Sequence, residues 1–432
     1  MHTIPRTTAY HAEEYRLKIP TNNVSSTTGQ QDRWDHLQEL VARYGAPLYI
    51  YDLAEFDHRL DELQAVLPPG AKLLYSAKAN PALLSQAAAR SLPVEASSIH
   101  EINQALAAGV PANNLWFGGP GKMPEELGSA LQCAVSWFSV ESVRELEDLN
   151  QLAKQSGARP SVLLRINPAQ ATTAGLSMSG IPSQFGIPEE QVDEQRLRIV
   201  DCSYLDIAGV HVYMGTQIQS VEALVEAFRL GVATYRRVSA SLGLHLRILN
   251  LGGGFAWPYA TCGATDLAPL RDLITPLLAP LQRDDVQLWF ESGRYLAASS
   301  GTLVSRVIDV KTCRDTHYLV LDAGIHCLGG MSGLGRTVRR HMDFLTAYAV
   351  DEPSLQAVVV GPSCTPLDIL CTGVSIPTRL RPMDLVQVPN VGAYGLTASL
   401  VGFLGRTLPI EVFIRGRKVI RALSLSCNHT EI

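Results

Sequence analysis

The chain has 432 residues, of which 46% are hydrophobic and 18% charged, with a formal net charge of -5. That describes a globular protein of about two domains with no electrostatic footprint for nucleic acid or a membrane surface, and no apolar run reaches the roughly 18 residues of a membrane span. The eight cysteines include no CxxC pair, so neither a disulfide framework nor a zinc site is expected.

Residues 1–31 are polar, lack an apolar signal core and read as a flexible tail, so secretion is not expected, and the cysteine pattern leads us to expect a reducing cytoplasm. Residues 32–44 have helical spacing, with Trp34, Leu37, Leu40, Val41 and Tyr44 on one face and Gly45 as a stop. Residues 47–52 read as a strand, and 32–52 as a segment that joins the C-terminal domain. A helix follows over 53–67, broken by Pro68-Pro69-Gly70. Apolar runs of strand length then recur at 71–79, 92–98, 115–119, 134–140, 161–167, 207–214, 246–251 and 287–291. Helix-like segments lie between most of them, at 81–90, 100–108, 124–131, 142–155, 221–242 and 267–281. Eight such units predict an α/β fold, a (β/α)8 TIM-like barrel over 53–295, in preference to an open doubly wound sheet. Beyond Arg294, short β-rich runs at 301–311, 317–321, 356–360, 384–388, 410–414 and 418–422 predict an all-β domain over 296–432.

A barrel presents its chemistry at the C-terminal ends of its strands. Lys78, Glu95, Arg165, His211, Tyr213, Thr216, Gly252-Gly253-Gly254, Glu291 and Arg294 all fall there. Lys78 closes an apolar run. Burial there is expected to favour the neutral amine, the form that attacks a carbonyl, although a surface lysine at a strand end fits the stretch as well. The three glycines have no Cβ, so their amides can approach a phosphate; a tight turn explains them equally. A lysine, a phosphate cradle and an acid together suggest pyridoxal phosphate.

Six ordered stretches carry a resemblance. They are Tyr-Ser-Ala-Lys-Ala-Asn (75–80), Gly-Val-His-Val-Tyr-Met-Gly-Thr-Gln (209–217), Asn-Leu-Gly-Gly-Gly-Phe (250–255), Glu-Ser-Gly-Arg-Tyr (291–295), Gly-Pro-Ser-Cys-Thr-Pro-Leu-Asp (361–368) and Gly-Ala-Tyr (392–394). Over 48–408 the chain resembles the fold-type III pyridoxal-phosphate decarboxylases, the diaminopimelate/ornithine decarboxylase group. The resemblance implies an alanine racemase-like fold, a barrel plus a β domain, and a homodimer with shared active sites. It implies that Lys78 is the Schiff-base lysine and that Gly252, Gly253 and Gly254 bind phosphate with help from Thr216 and Tyr394. Glu291 would pair with the pyridinium nitrogen, and Arg294 would face phosphate or a substrate carboxylate. Cys364 would reach in from the partner subunit and reprotonate Cα, with Asp368 four positions later. The family commonly stacks a histidine on the cofactor ring. Tyr213 stands at that position here and is expected to stack in its place. His211, two residues earlier, is either a substrate contact or a hydrogen-bonded core histidine.

Two departures concern the substrate. Thr365 stands where diaminopimelate decarboxylases typically have glutamate, and their Arg-Pro-x-x-Tyr segment is replaced by 322–336, ending in Arg336. Arg336, Thr365 and Asp368 are the candidate distal contacts. Residues 165–168, 184–187 and 361–368 are similar to a branch serving natural-product, siderophore and exopolysaccharide-associated pathways. Several of its members act on an amino acid already acylated, citrylated or linked to a carrier protein. The expected reaction is α-decarboxylation of such a conjugate. Decarboxylation of free meso-diaminopimelate, amino-acid racemisation and non-catalytic cofactor binding are the alternatives. The racemases usually have arginine where Glu291 stands, and non-catalytic relatives lack a β domain.

Overall fold

The computed structural model describes residues 27–170, 176–177, 180–329, 342–348, 352–428 and 431; Arg336 lies outside them. All eight expected runs contain a strand: Lys72–Ser76, Val94–Ala96, Leu115–Phe117, Trp137–Val140, Ser161–Asn167, Asp206–His211, Ile248–Asn250 and Gln287–Ser292. Each is parallel to the next. The eighth returns to the first, with Trp289 opposite Lys72, and closes the (β/α)8 barrel. Both faces of such a sheet are covered, which is why its strands read as continuous apolar runs.

The strands are shorter than the runs, because apolar residues at the ends pack in turns. Ala77 and Ala79 are buried in a 3-10 turn, so Lys78 stands just past the first strand and not on it. The helices after the second, fourth and sixth strands each begin at a serine. Ser98, Ser142 and Ser220 accept the amides of Glu101, Glu145 and Ala223 at 3.0–3.1 Å.

Inward positions on a strand recur every second residue. Low in the barrel, Leu74, Trp116, Leu163, Ala208, Ile248 and Trp289 form an apolar plug of their own. Two residues further on, Leu74, Leu163, Ile248 and Trp289 are followed by Ser76, Arg165, Asn250 and Glu291, all buried. The chain changes from apolar to polar at one level of the barrel, and that level is the floor of the site.

The second sheet has the strand order Ile369–Pro377, Ser354–Val360, Thr316–Leu321, Gly301–Cys313, Leu48–Asp52, Ile410–Arg415, Lys418–Ser424, with Leu385–Val388 also on Gly301–Cys313. Leu48–Asp52 is antiparallel to one neighbour and parallel to the other. The chain therefore enters this sheet before it builds the barrel. The N-terminal helix spans Thr27–Tyr44, so residues 27–31, expected in the tail, are helical. Its stripe of Trp34, Leu37, Leu40 and Val41 packs on Leu48, Ile50, Val304 and Val412. Ile369–Pro377 is a strand that the sequence pattern did not reveal. Register shifts against Ser354–Val360 break its period-two alternation.

Candidate active site

The turn that carries Lys78 is pinned from several sides. Tyr75 donates its hydroxyl to the Asn80 carbonyl at 2.8 Å, and the Asn80 amide donates to the Gly392 carbonyl at 2.8 Å. The Tyr394 amide donates to the Ala79 carbonyl at 2.7 Å. These bonds bring the loop with Tyr394 from the β sheet over the mouth of the barrel. Tyr394 itself has φ of 53°, a left-handed conformation uncommon for a side-chain-bearing residue.

Lys78 Nζ lies 3.1 Å from both carboxylate oxygens of Glu95. Protein surrounds the lysine, yet 46% of its side chain faces the open cavity, while Glu95 is buried. Burial pulls the Lys78 pKa down, as expected from sequence. Glu95, and then Tyr394, Glu291 and Tyr213, push it up further, so the net direction is upward and the neutral-amine expectation is corrected. The Lys78 charge and hydrogen bonds from Lys78, Ser97 and Ser76 offset the burial of Glu95 and hold it below the ordinary carboxylate range.

Glu291 sits on the eighth strand in a different setting. Asn250 Nδ2 donates to Oε1 at 2.8 Å, and Oε2 has no donor among the described residues. Burial, aided by the negative charge of Glu95, pushes its pKa up to about 7. Asn250 Oδ1 accepts the Gly252 amide at 2.8 Å, so one side chain orients both the carboxyl and the start of the glycine run. Gly252 has φ of 61°, and a Cβ there would overlap the Tyr213 ring; a Cβ on Gly253 would overlap the Glu291 carbonyl. The close approach of strand and ring therefore requires these glycines. The amides of Gly253 and Gly254 have no acceptor among the described residues.

Tyr213, Thr216, Gly254, Glu291, Arg294 and Tyr394 line one cavity with Lys78. Burial pushes the Tyr213 phenol up to about 12, which keeps its ring uncharged. The Arg294 guanidinium lies 4.7 Å over the Tyr394 ring, and its buried Nε has no partner among the described residues. A primary amine, open backbone amides, an orphaned guanidinium nitrogen and a carboxyl with one free oxygen fit the aldehyde, phosphate and ring nitrogen of pyridoxal phosphate.

Other expected site residues lie elsewhere. His211, a candidate substrate contact, is buried within the barrel with Nδ1 2.8 Å from Ser139 Oγ, and it does not line the cavity. Asp368, also a candidate contact, is buried; its carboxylate accepts the Ile325 and Ser363 amides at 2.8 Å each. Both amides are backbone donors, so Asp368 fixes the shape of the 361–368 loop and is corrected to a structural role. On that loop Cys364 is exposed and Thr365 partly so. Glu95, read in the sequence only as a polar strand end, proves to be the ion-pair partner of Lys78, and Asn250 and Ser139 were not singled out. One signal would have found all three: each is a polar residue in a strand whose other members are apolar.

The model for the family "Pyridoxal-dependent decarboxylase, pyridoxal binding domain" matches residues 53–298. The chain is 32% identical over 390 residues to L-glutamyl-(BtrI acyl-carrier protein) decarboxylase of Niallia circulans, covering 87% of this chain and 90% of that one. It is 29% identical over 381 residues to 2-[(L-alanin-3-ylcarbamoyl)methyl]-2-hydroxybutanedioate decarboxylase of Staphylococcus aureus, covering 86% and 94%. Among solved structures it is similar to diaminopimelate decarboxylase from Helicobacter pylori complexed with L-lysine. That pair has 26% identity and a TM-score of 0.78, with 89% and 96% of the two chains covered.

Proposed function

The chain belongs to the pyridoxal-dependent decarboxylases, and from that premise we propose that it removes the α-carboxylate of an amino acid whose far end is conjugated. Bound pyridoxal phosphate supplies a ring that takes up the electrons released as carbon dioxide leaves. In our reading Lys78 anchors the cofactor covalently. Thr216, the amides of Gly253 and Gly254, Arg294 and Tyr394 would hold the phosphate; Gly252, expected to join them, has its amide taken by Asn250 Oδ1 and instead makes room for the Tyr213 ring, which would stack on the cofactor. Glu291 Oε2, left free by Asn250, would accept a hydrogen bond from the protonated ring nitrogen. Glu95 holds the Lys78 ammonium, so a proton must leave Nζ before the amine can attack.

Cys364 does not line the cavity of its own chain. We propose a homodimer in which Cys364 of the partner subunit protonates Cα, so that an amine is released. A reducing cytoplasm suits eight free cysteines.

One observation carries the substrate assignment. The only ionisable carboxylate of the 361–368 loop, Asp368, is occupied by two backbone amides. That loop offers no acid to a free distal ammonium, and an unpaired buried ammonium would bind poorly. The Niallia relative acts on a glutamyl group held by a carrier protein. A thioester-linked or otherwise acylated amino acid therefore suits this chain better than a free diamino acid. The test compares a glutamyl carrier-protein thioester with free meso-diaminopimelate, following carbon dioxide loss by mass spectrometry. Conversion of the conjugate alone is expected. Equal rates on free meso-diaminopimelate would overturn the assignment.

A further inference from the structure

His211 is buried among three strands. Its Nδ1 lies 2.8 Å from Ser139 Oγ on the fourth strand, and its Nε2 lies 3.4 Å from Glu291 Oε1 on the eighth. The edge of its ring meets Trp116 on the third strand at 6.0 Å and 88°. Nε2 is shut off from solvent and has no aligned hydrogen bond among the described residues. A buried ring nitrogen with one neighbour is a costly feature unless that neighbour is its partner.

We propose that His211 is a positioning residue that presents its Nε2 proton to Glu291, so that Ser139, His211 and Glu291 form a buried line ending at the ring nitrogen of the cofactor. The proposal rests on the reading of Glu291 given above. The proton assignment follows from acceptor chemistry. An ionised Glu291 only accepts, so a lone pair on Nε2 would face a second lone pair. With the proton on Nε2, Nδ1 is the acceptor, and the Ser139 hydroxyl, whose side chain is wholly buried, turns to donate to it.

The surrounding charges agree. Arg165 on the fifth strand, Lys78 beyond the first and Lys122 beyond the third all face the imidazole. Burial, and then these charges, hold its pKa well below the ordinary value, so it acts as a neutral donor at neutral pH. Glu291 is faced by Glu95 and Lys78 as well as by Asn250. Its two oxygens divide the work. Oε1 takes the Asn250 bond and the His211 contact, while Oε2 stays clear for the cofactor. Both Oε1 partners stabilise the carboxylate over the carboxylic acid. They thereby keep the shared proton on the ring nitrogen, where it makes the ring a stronger electron acceptor.

The experiment uses the holoprotein loaded with pyridoxal phosphate carrying nitrogen-15 in its ring, and reads that nitrogen's chemical shift at neutral pH. A protonated signal is expected for the wild type. In His211→Phe the proton should move toward the carboxyl by about tenfold in population, the weight of one hydrogen bond to a charged group. His211→Gln, which keeps an N–H donor, should restore the wild-type signal, and Ser139→Ala should give a smaller displacement in the direction of Phe. Should His211→Phe fail to fold, the Gln and Ser139→Ala variants still read the same line of contacts. Glu291→Gln separates the two levels of the reading. If it leaves the shift at the wild-type value, Glu291 is not the ring's partner and the reading beneath the proposal fails. If Glu291→Gln moves the signal while His211→Phe and Ser139→Ala do not, the proposal alone is overturned.

Discussion

Consider Glu291→Gln in the protein freed of cofactor. The side chain is only 6% exposed, and its pKa stands at about 7 against an ordinary 4.5. A carboxyl whose folded pKa is raised binds a proton in the folded state where the unfolded chain has lost it. The stability this confers is complete below about pH 4.5 and is lost as the pH climbs through about 7. The span between those values is worth about 3 kcal/mol, an upper figure because the site is open to water at the cavity. Glutamine has nearly the same shape, keeps the oxygen that accepts from Asn250 and does not titrate. The apoprotein variant should therefore gain on the wild type as pH rises from 5 to 8, by about 1–3 kcal/mol in urea unfolding followed by tryptophan fluorescence. If Glu291 pairs with the ring nitrogen as proposed, the sign should reverse in the holoprotein, because an amide cannot replace the carboxylate there. A difference between the two apoproteins that stays flat across this range would show that burial does not govern Glu291.

The remaining predictions address subunits, loop and lysine. Lys78→Ala and Cys364→Ala should each abolish most activity, and mixing the two with subunit exchange should recover it; a mixture no better than its parts would refute the shared site. Asp368→Ala removes two bonds to a charged acceptor, each worth about 1.5–3 kcal/mol. It should lower kcat through a loosened Cys364 loop with cofactor affinity unchanged, and weakened cofactor binding in a fluorescence titration would count against that role. Glu95→Gln removes the largest cause of the raised Lys78 pKa. In stopped-flow absorbance, the pH midpoint for covalent capture of pyridoxal phosphate by the apoprotein should fall, and an unmoved midpoint would reject the ion pair as its origin.

The barrel was legible because parallel strands buried on both faces leave long apolar runs, and because Val221–Leu242 reads as helix from end to end. Residues 27–31 are polar, and polar residues extend a helix without adding to its apolar stripe, so the stripe from Trp34 onward does not reveal the first turn. Ile369–Pro377 was hidden by the bulges that displace its pairing. In the site, Lys78, Tyr213, Thr216, Gly254, Glu291, Arg294 and Tyr394, all carried by ordered motifs, line one cavity, whereas His211 and Asp368, carried by the same motifs, do not. Residues that work through a partner could not be placed in advance. Asp368 looked like a ligand contact until its carboxylate was found between the Ile325 and Ser363 amides. The direction of the Lys78 shift depends on Glu95, which is 17 residues away in sequence and 3.1 Å away in space.

That pair also explains why two buried carboxyls near Lys78 behave differently. Desolvation acts on both in the same direction, so burial alone would make both weak acids. Lys78 reaches Glu95 directly, and Ser76 and Ser97 add hydrogen bonds, so Glu95 is held ionised. Its negative charge then adds to the burial of Glu291 and pushes that carboxyl toward neutrality. One lysine thus sorts the two acids into a fixed anion and a poised carboxyl.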